Sequence, residues 1–238
     1  QFPVRRKNGE LSIGFYAAGT HSIVDTEDCC IQAKENKEII KRIRIFLEEE
    51  KISIYDEESH EGLVRHILTR VGFKTGEIMV CLIVNGTDLP HKEEFVDTLK
   101  DIPGMKSISL NINREHTNVI LGDQVKTLWG EPYITDYIGE VKFRISPLSF
   151  YQVNPVQTKV LYEKALEFAG LTGEETVWDL YCGIGTISLF LAAKAKKVYG
   201  VEIIPQAIED ARENARINGI ENAEFFVGAA EEILPEKY

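Results

Sequence analysis

The stretch VWDLYCGIGTISLFLAAK, residues 177–194, decides how this chain is read. An apolar run closing on Asp179 predicts a strand, Gly183 and Gly185 predict a tight turn, and residues 186–195 predict a helix. A glycine turn after a first strand lets the backbone approach a ligand closely. The helix behind it offers free N–H groups. The dinucleotide fingerprint needs a third glycine, G-x-G-x-x-G. Ser188 takes that position, which argues against NAD and a pyrophosphate. Cys182 lies in the same turn. It has no basic neighbour or evident His partner in the sequence, so it is not expected to be a nucleophile, even though the helix start favours a thiolate.

Working outward, KVYGVE (197–202) and AEFFVG (223–228) predict further strands, with a helix over 205–218 between them. Upstream, Asn154 is a good N-cap and Pro155 suits the first helical position. That helix is expected to run to Ala169 and stop at Gly170. The result is a βαβαβ unit, half of a doubly wound parallel sheet. Glu202 closes the second strand, where a carboxylate accepts hydrogen bonds from both hydroxyls of a ribose. Asp179 either holds an amino-acid ammonium or orders the turn. Tyr181 reads as packing beside it.

Residues 1–145 have a different rhythm. LSIGFY (11–16) predicts a strand. Ile39, Ile43, Phe46 and Leu47 mark one face of a helix over 32–50. Residues 63–73 and 77–86 are β-rich and are joined at Lys74-Thr75-Gly76, a hairpin turn. A helix over 92–100 ends at Pro103-Gly104, and a strand follows at 105–113. This β-α-β-β-α-β order matches a split βαβ arrangement. Short strands are expected at 118–121, 126–130, 133–138 and 140–145. With the boundary near 146, the chain is an α+β domain over 1–146 followed by a doubly wound α/β domain over 147–238.

Composition narrows the function. The net charge is -11. Residues 1–146 hold 19 basic against 24 acidic side chains and residues 147–238 hold 8 against 14, so neither half carries the basic footprint of a general nucleic-acid binder. RNA contact would need local patches, and Arg5-Arg6-Lys7 and Arg65, His66, Arg70 and Lys74 are the candidates. Phe15 and Tyr16 read as core packing ahead of a base-stacking face. No apolar run nears the roughly 18 residues that span a bilayer. The four cysteines, Cys29, Cys30, Cys81 and Cys182, form no C-x-x-C pair, so a reducing cytoplasm is the expected location. The start lacks Met and enters abruptly, as in a piece cut from a longer chain.

FRISPLSFYQVNPVQTKVLY (143–162), DLYCGIGTISLFLA (179–192) and VYGVEIIPQAIEDARENARING (198–219) resemble the RNA uracil-5-methyltransferases, nearest to the bacterial 23S ribosomal RNA type. QFPVR, GFYAAGTHSIVD, LVRHILTRVGFKTGE and LNINREHTNVILGD resemble that family's central domain. The resemblance implies a truncated class I methyltransferase sheet, Rossmann-like, preceded by the α+β central domain. It implies S-adenosyl-L-methionine as cofactor, bound by Gln152, Asp179, Tyr181, Gly183, Gly185, Thr186 and Glu202, with GAAEE (228–232) bordering the adenine through backbone. Ala229 stands where many methyltransferases have an acid, and Thr186 where many members have Asn.

The family's reaction begins with a cysteine thiolate adding to C6 of uracil. C5 then takes the methyl group, a base removes the C5 proton, and the cysteine leaves. The segments that carry that cysteine and that base are not found here, so no catalytic residue is expected among these 238 and the chain alone is expected to be inactive. Some relatives hold a 4Fe-4S cluster through four cysteines, and Cys29 aligns with the fourth. The implied partner is RNA, ribosomal RNA first. The sequence does not fix the oligomeric state, with a monomer favoured. Two alternatives stay open: a class I methyltransferase with another substrate, and a non-catalytic RNA-binding module.

Overall fold

The computed structural model describes residues 1–237 and divides into two units, residues 1–71 with 76–134 and residues 72–75 with those from 135 onward. In chain order the first unit contains β1 (Phe2–Lys7), β2 (Glu10–Tyr16), β3 (Ile23–Asp25), α1 (Glu35–Glu49), β4 (Val64–Val71), β5 (Ile78–Val84), α2 (Lys92–Leu99), β6 (Met105–Ile112) and β7 (Gln124–Gly130). Its seven strands form one sheet in the order β3-β2-β1-β4-β5-β6-β7. Neighbours are antiparallel except β5 and β6, which are parallel and linked through α2.

The sheet is built around β5. Its run Ile-Met-Val-Cys-Leu-Ile-Val is buried at every position, the pattern of a strand covered on both faces. The predicted face of α1 packs there: Ile39, Ile43, Phe46 and Leu47 join Ile67, Val80, Leu82, Ile108 and Leu110 in one core. Phe46 meets Phe95 of α2 with ring centroids 5.2 Å apart. Truncating Ile43 to Ala in such a core costs roughly 2–5 kcal/mol.

Several expectations need correction. The split βαβ arrangement holds in one half only: β1 stands between β2 and β4, but β5 and β6 are direct neighbours with no strand between them. The partner of β4 on its other side is β1, a strand in the apolar-basic opening that the periodicity did not mark. Residues 118–121 form no strand, since the carbonyls of Val119 and Ile120 are taken by the side chain of Asn113.

The second unit contains β8 (Ile134–Ile138) and β9 (Val141–Ile145), which pair as a hairpin, then α3 (Pro155–Ala169), β10 (Thr176–Asp179), α4 (Thr186–Ala192), β11 (Lys197–Glu202), α5 (Pro205–Ile217), β12 (Ala223–Val227) and α6 (Ala230–Lys237). The strands β10-β11-β12 form a parallel sheet. The predicted cap of α3 is in place: the Asn154 side chain accepts from the Gln157 N–H, and Gly170 ends the helix at φ 57°. The units part at 134/135 rather than near 146. The hairpin β8–β9 goes with the second unit because its edge is bonded to α5, a tertiary contact with no local sequence signal. The β4–β5 hairpin tip joins it as well, with the Phe73 and Lys74 N–H groups donating to Asp136 at 2.9 and 2.8 Å.

Candidate functional site

Three strands of the second unit end together, and ligands of open α/β sheets bind beyond such carboxyl ends. Asp179 closes β10 beside Gly200, and Glu202 closes β11 beside Val227. The turn between β10 and α4 runs over them. Gly183 and Gly185 both hold left-handed backbone, at φ 53° and 81°. They do so for different reasons. A Cβ on Gly185 would meet Phe225 at 3.1 Å and Ala211 at 3.3 Å, whereas a Cβ on Gly183 would meet nothing within 4 Å. One glycine is required by packing, and the other faces open space.

The two carboxylates and the Thr186 hydroxyl have defined partners. Glu202 accepts from the Gly183 N–H at 3.3 Å and from the Ile204 N–H at 3.1 Å, so the carboxylate is aimed along the turn. Asp179 accepts from the Ser188 hydroxyl at 2.5 Å. Burial raises the Asp179 pKa and the nearby Glu202 adds to it, while the Ser188 bond opposes the shift. Ser188, at the missing third glycine position, is fully buried and its hydroxyl holds a carboxylate. The Thr186 hydroxyl bonds the Tyr162 phenol of α3 at 2.8 Å, and burial pushes that phenol upward. Tyr181 is 78% exposed, which is not the packing role read from sequence. The Gly228 N–H bonds the Glu202 carbonyl at 3.0 Å, setting the 228–232 stretch alongside β11.

The structure therefore brings together Asp179, Tyr181, Gly183, Gly185, Thr186 and Glu202. Gln152 is half-buried in the loop entering α3, two residues before the cap, on the helix whose Tyr162 reaches Thr186. Tyr162 was not anticipated as a partner of the turn, and its one sequence signal was an aromatic on a helix next to the expected site.

Cys182 is buried, with its sulfur beside Gly200 and 3.6 Å from the Gly183 carbonyl. Burial pushes its thiol up, and the carboxylates of Asp179 and Glu202 push the same way. Desolvation prevails over the helix start, and the sulfur is packing material. Cys81 is likewise buried and pushed up to about 12.

Of the basic residues expected at a surface, Arg65 and His66 are interior, Arg5 and Arg70 are half-buried, and Arg6, Lys7 and Lys74 are exposed. Arg65 and His66 are 4% and 5% exposed. The Arg65 guanidinium donates to the carbonyls of Asn113, Glu115 and Thr117 and lies 4.5 Å from the Tyr55 ring. Burial lowers His66 to about 3, so it is neutral. Arg5 and Arg6 pair with Glu57 and Glu48. As candidates for RNA contact, Arg65 and His66 are thus not at the surface. Cys29 lies beside Asp28, whose carboxylate accepts its N–H. Among the described residues no group of three or more His, Cys, Asp or Glu is placed to hold a metal, so Cys29 and its neighbours do not by themselves supply the ligand set of a cluster. Among the described residues no helix is long and apolar enough to cross a membrane.

Known proteins resemble this chain in sequence and fold. A family model described as a methyltransferase domain matches residues 171–238. An uncharacterized RNA methyltransferase of Halalkalibacterium halodurans is 56% identical over all of this chain and 52% of its own length. One from Clostridium tetani is 52% identical over 99% of this chain and 52% of its length. Among solved structures, the tRNA (uracil-54, C5)-methyltransferase of Pyrococcus abyssi, in complex with S-adenosyl-L-homocysteine, is 32% identical with a TM-score of 0.80, covering 96% of this chain and 54% of that one. The chain thus spans about half the length of the curated relatives it matches. Its α/β fold is that of class I, Rossmann-like methyltransferases.

Proposed function

We propose that these residues are the cofactor-holding half of an S-adenosyl-L-methionine-dependent RNA methyltransferase that acts on C5 of uracil. The observation that carries the reading is the Gly183–Glu202 pair, a left-handed glycine open to solvent whose N–H is held by a strand-end carboxylate. The residues fit the cofactor. Glu202 binds the ribose hydroxyls, Asp179 the amino-acid ammonium, and Gly183 keeps the turn clear of side chains. Tyr181 covers the ligand from the exposed side, Thr186 and Tyr162 fix the start of α4, and Gln152 closes the pocket from the α3 side. Backbone at 228–229 borders the adenine. When bound, the cofactor supplies an electrophilic methyl group.

The chain's own residues bind and orient. Cys182, the cysteine in the turn, is buried and not placed as a nucleophile, and Cys81 is buried as well. On this reading, as the motif resemblance implies, the thiolate that attacks C6 and the base that takes the C5 proton are not among these residues, and the 238 residues alone are inactive. The Pyrococcus abyssi relative supports uracil C5 as the target. The motif resemblance to the 23S type makes ribosomal RNA the first substrate to test, in the cytoplasm. The iron–sulfur cluster gains no support from the residues around Cys29.

The test uses RNA carrying tritium at C5 of uracil and the protein at the length of its relatives. Tritium release that depends on S-adenosyl-L-methionine, from 23S ribosomal RNA ahead of tRNA, is the expected result. Methyl transfer without tritium release would place the methyl elsewhere, and preference for tRNA would move the substrate. Release by the 238 residues alone would overturn the assignment of the nucleophile.

A further inference from the structure

Helix α5 and its C-cap Asn218 turn three polar side chains toward β9 and the serines that follow it. Asp210, Asn214 and Asn218 recur every four residues. Asn218 accepts from the Lys142 N–H at 2.9 Å and donates to the Lys142 carbonyl at 2.7 Å. Asn214 accepts from the Arg144 N–H at 2.8 Å and faces the Arg144 carbonyl at 3.5 Å. Asp210 accepts from the hydroxyls of Ser146 and Ser149. The spacing explains the match. Four helical residues advance about 6 Å, and two strand residues advance about 6.8 Å, so Asn214 and Asn218 meet the peptides of Arg144 and Lys142, two residues apart on β9. The helix closes a strand edge as another strand would.

Asn214 differs from the other two. It is fully buried, and its amide also donates to the Ile184 carbonyl at 3.2 Å. Ile184 stands between Gly183 and Gly185. Both flanking glycines have left-handed backbone and the steric latitude that goes with it. A turn with that latitude needs its peptides fixed from outside. The Gly183 N–H is held by Glu202, the Cys182 carbonyl by the Gly185 N–H, and the Ile184 carbonyl by Asn214.

We propose that Asn214 is a positioning residue for the ligand turn, locking the Ile184 peptide to the β9 backbone so that the 183–186 segment is preformed for a nucleoside cofactor. The proposal rests on the cofactor reading above for the identity of the ligand, but not for the ordering of the turn.

The matched pair Asn214→Ala and Asn218→Ala tests it. Both free a peptide of β9, and only the first releases Ile184. Two quantities are measured in the protein: affinity for S-adenosyl-L-homocysteine by calorimetry, and hydrogen exchange of amides 183–186 without ligand. Asn214→Ala is expected to weaken binding about tenfold and speed exchange at 183–186, while Asn218→Ala changes affinity less than about twofold and leaves those amides protected. Equal losses in the two variants, or parental exchange at 183–186 in Asn214→Ala, would overturn the proposal. If the parent binds no S-adenosyl-L-homocysteine, the cofactor reading fails and the exchange pattern alone still decides the role of Asn214. Should Asn214→Ala not fold, Asn214→Asp, which keeps an acceptor for the Arg144 N–H, takes its place against Asn218→Asp.

Discussion

Two loops of this chain are fastened by buried polar side chains, with opposite results. In the first unit the segment after β6 is tied by Asn111 to Gly122 and Gln124, by Asn113 to Val119 and Ile120, and by Arg65 to three more carbonyls. It is filled as well as tied: a Cβ on Gly122 would lie 2.0 Å from the Ile112 carbonyl oxygen. In the second unit the turn after β10 is tied by Glu202 and Asn214, yet nothing stands within 4 Å of a Cβ on Gly183, and Tyr181 beside it is largely exposed. The same hydrogen-bonding chemistry makes a closed structural loop in one place and a preformed open one in the other. Where buried polar groups leave no room they serve the fold, and at Gly183 they leave the space that the proposed cofactor would use.

Breaking the closed loop should have the largest effect on stability. Arg65→Met leaves three carbonyls, that of Asn113 buried, without their charged donor and is expected to cost roughly 3–5 kcal/mol, since bonds to charged groups are the strong ones. Denaturant unfolding measures this loss, and S-adenosyl-L-homocysteine affinity should be unchanged in whatever protein folds. A loss of affinity without a loss of stability would reverse the contrast.

The two glycines of the open turn divide the effect. Gly185→Ala combines a left-handed backbone with contacts to Phe225 and Ala211, for roughly 2–4 kcal/mol. Gly183→Ala carries only the backbone penalty of about 1–2 kcal/mol, yet it places a methyl group in the ligand's space and should lose more affinity than Gly185→Ala loses per unit of stability. Similar losses of stability in the two would mean that the space at Gly183 is not open.

At the next level, Asn154→Ala removes the α3 cap for about 1 kcal/mol. Thermal melting reads the change, and no shift would place the cap's contribution elsewhere.

The smallest effect concerns Asp179. Burial raises its pKa above the ordinary 3.8. A raised folded-state value means that its contribution to stability is full below the unfolded pKa and is lost as pH rises through the folded one. Asp179→Asn removes that loss. Its melting temperature should match or exceed the parent's at pH 7, with any advantage fading as pH falls below about 4. An advantage that grows with acidity would contradict the assignment.

The strand–turn–helix of residues 176–192 and the caps of α3 were legible in the sequence, because glycine, Asn-Pro and hydrophobic period act over a few residues. The β4–β5 hairpin was legible for the same reason. The neighbour of β4 was not, because β1 is short, charged at its end and paired across some sixty residues. The interior fate of Arg65 and His66 was hidden too, since the carbonyls that receive Arg65 come from a loop some fifty residues away. At the site, the sequence placed Asp179 and Glu202 at the strand ends, and the structure added Ser188, Tyr162 and Asn214. The last of these belongs to a series of three polar residues, spaced four apart along α5 and its cap, that makes sense only opposite a strand edge.

The central claim is that the open turn holds S-adenosyl-L-methionine through Glu202. Its most direct test is calorimetric titration of the protein and its Glu202→Ala variant with S-adenosyl-L-homocysteine and with NAD. Binding of S-adenosyl-L-homocysteine but not NAD, weakened about 10- to 100-fold in Glu202→Ala, is the predicted result, given roughly 1.5–3 kcal/mol for hydrogen bonds to a charged group. Equal binding of NAD, or S-adenosyl-L-homocysteine affinity untouched by Glu202→Ala, would contradict it.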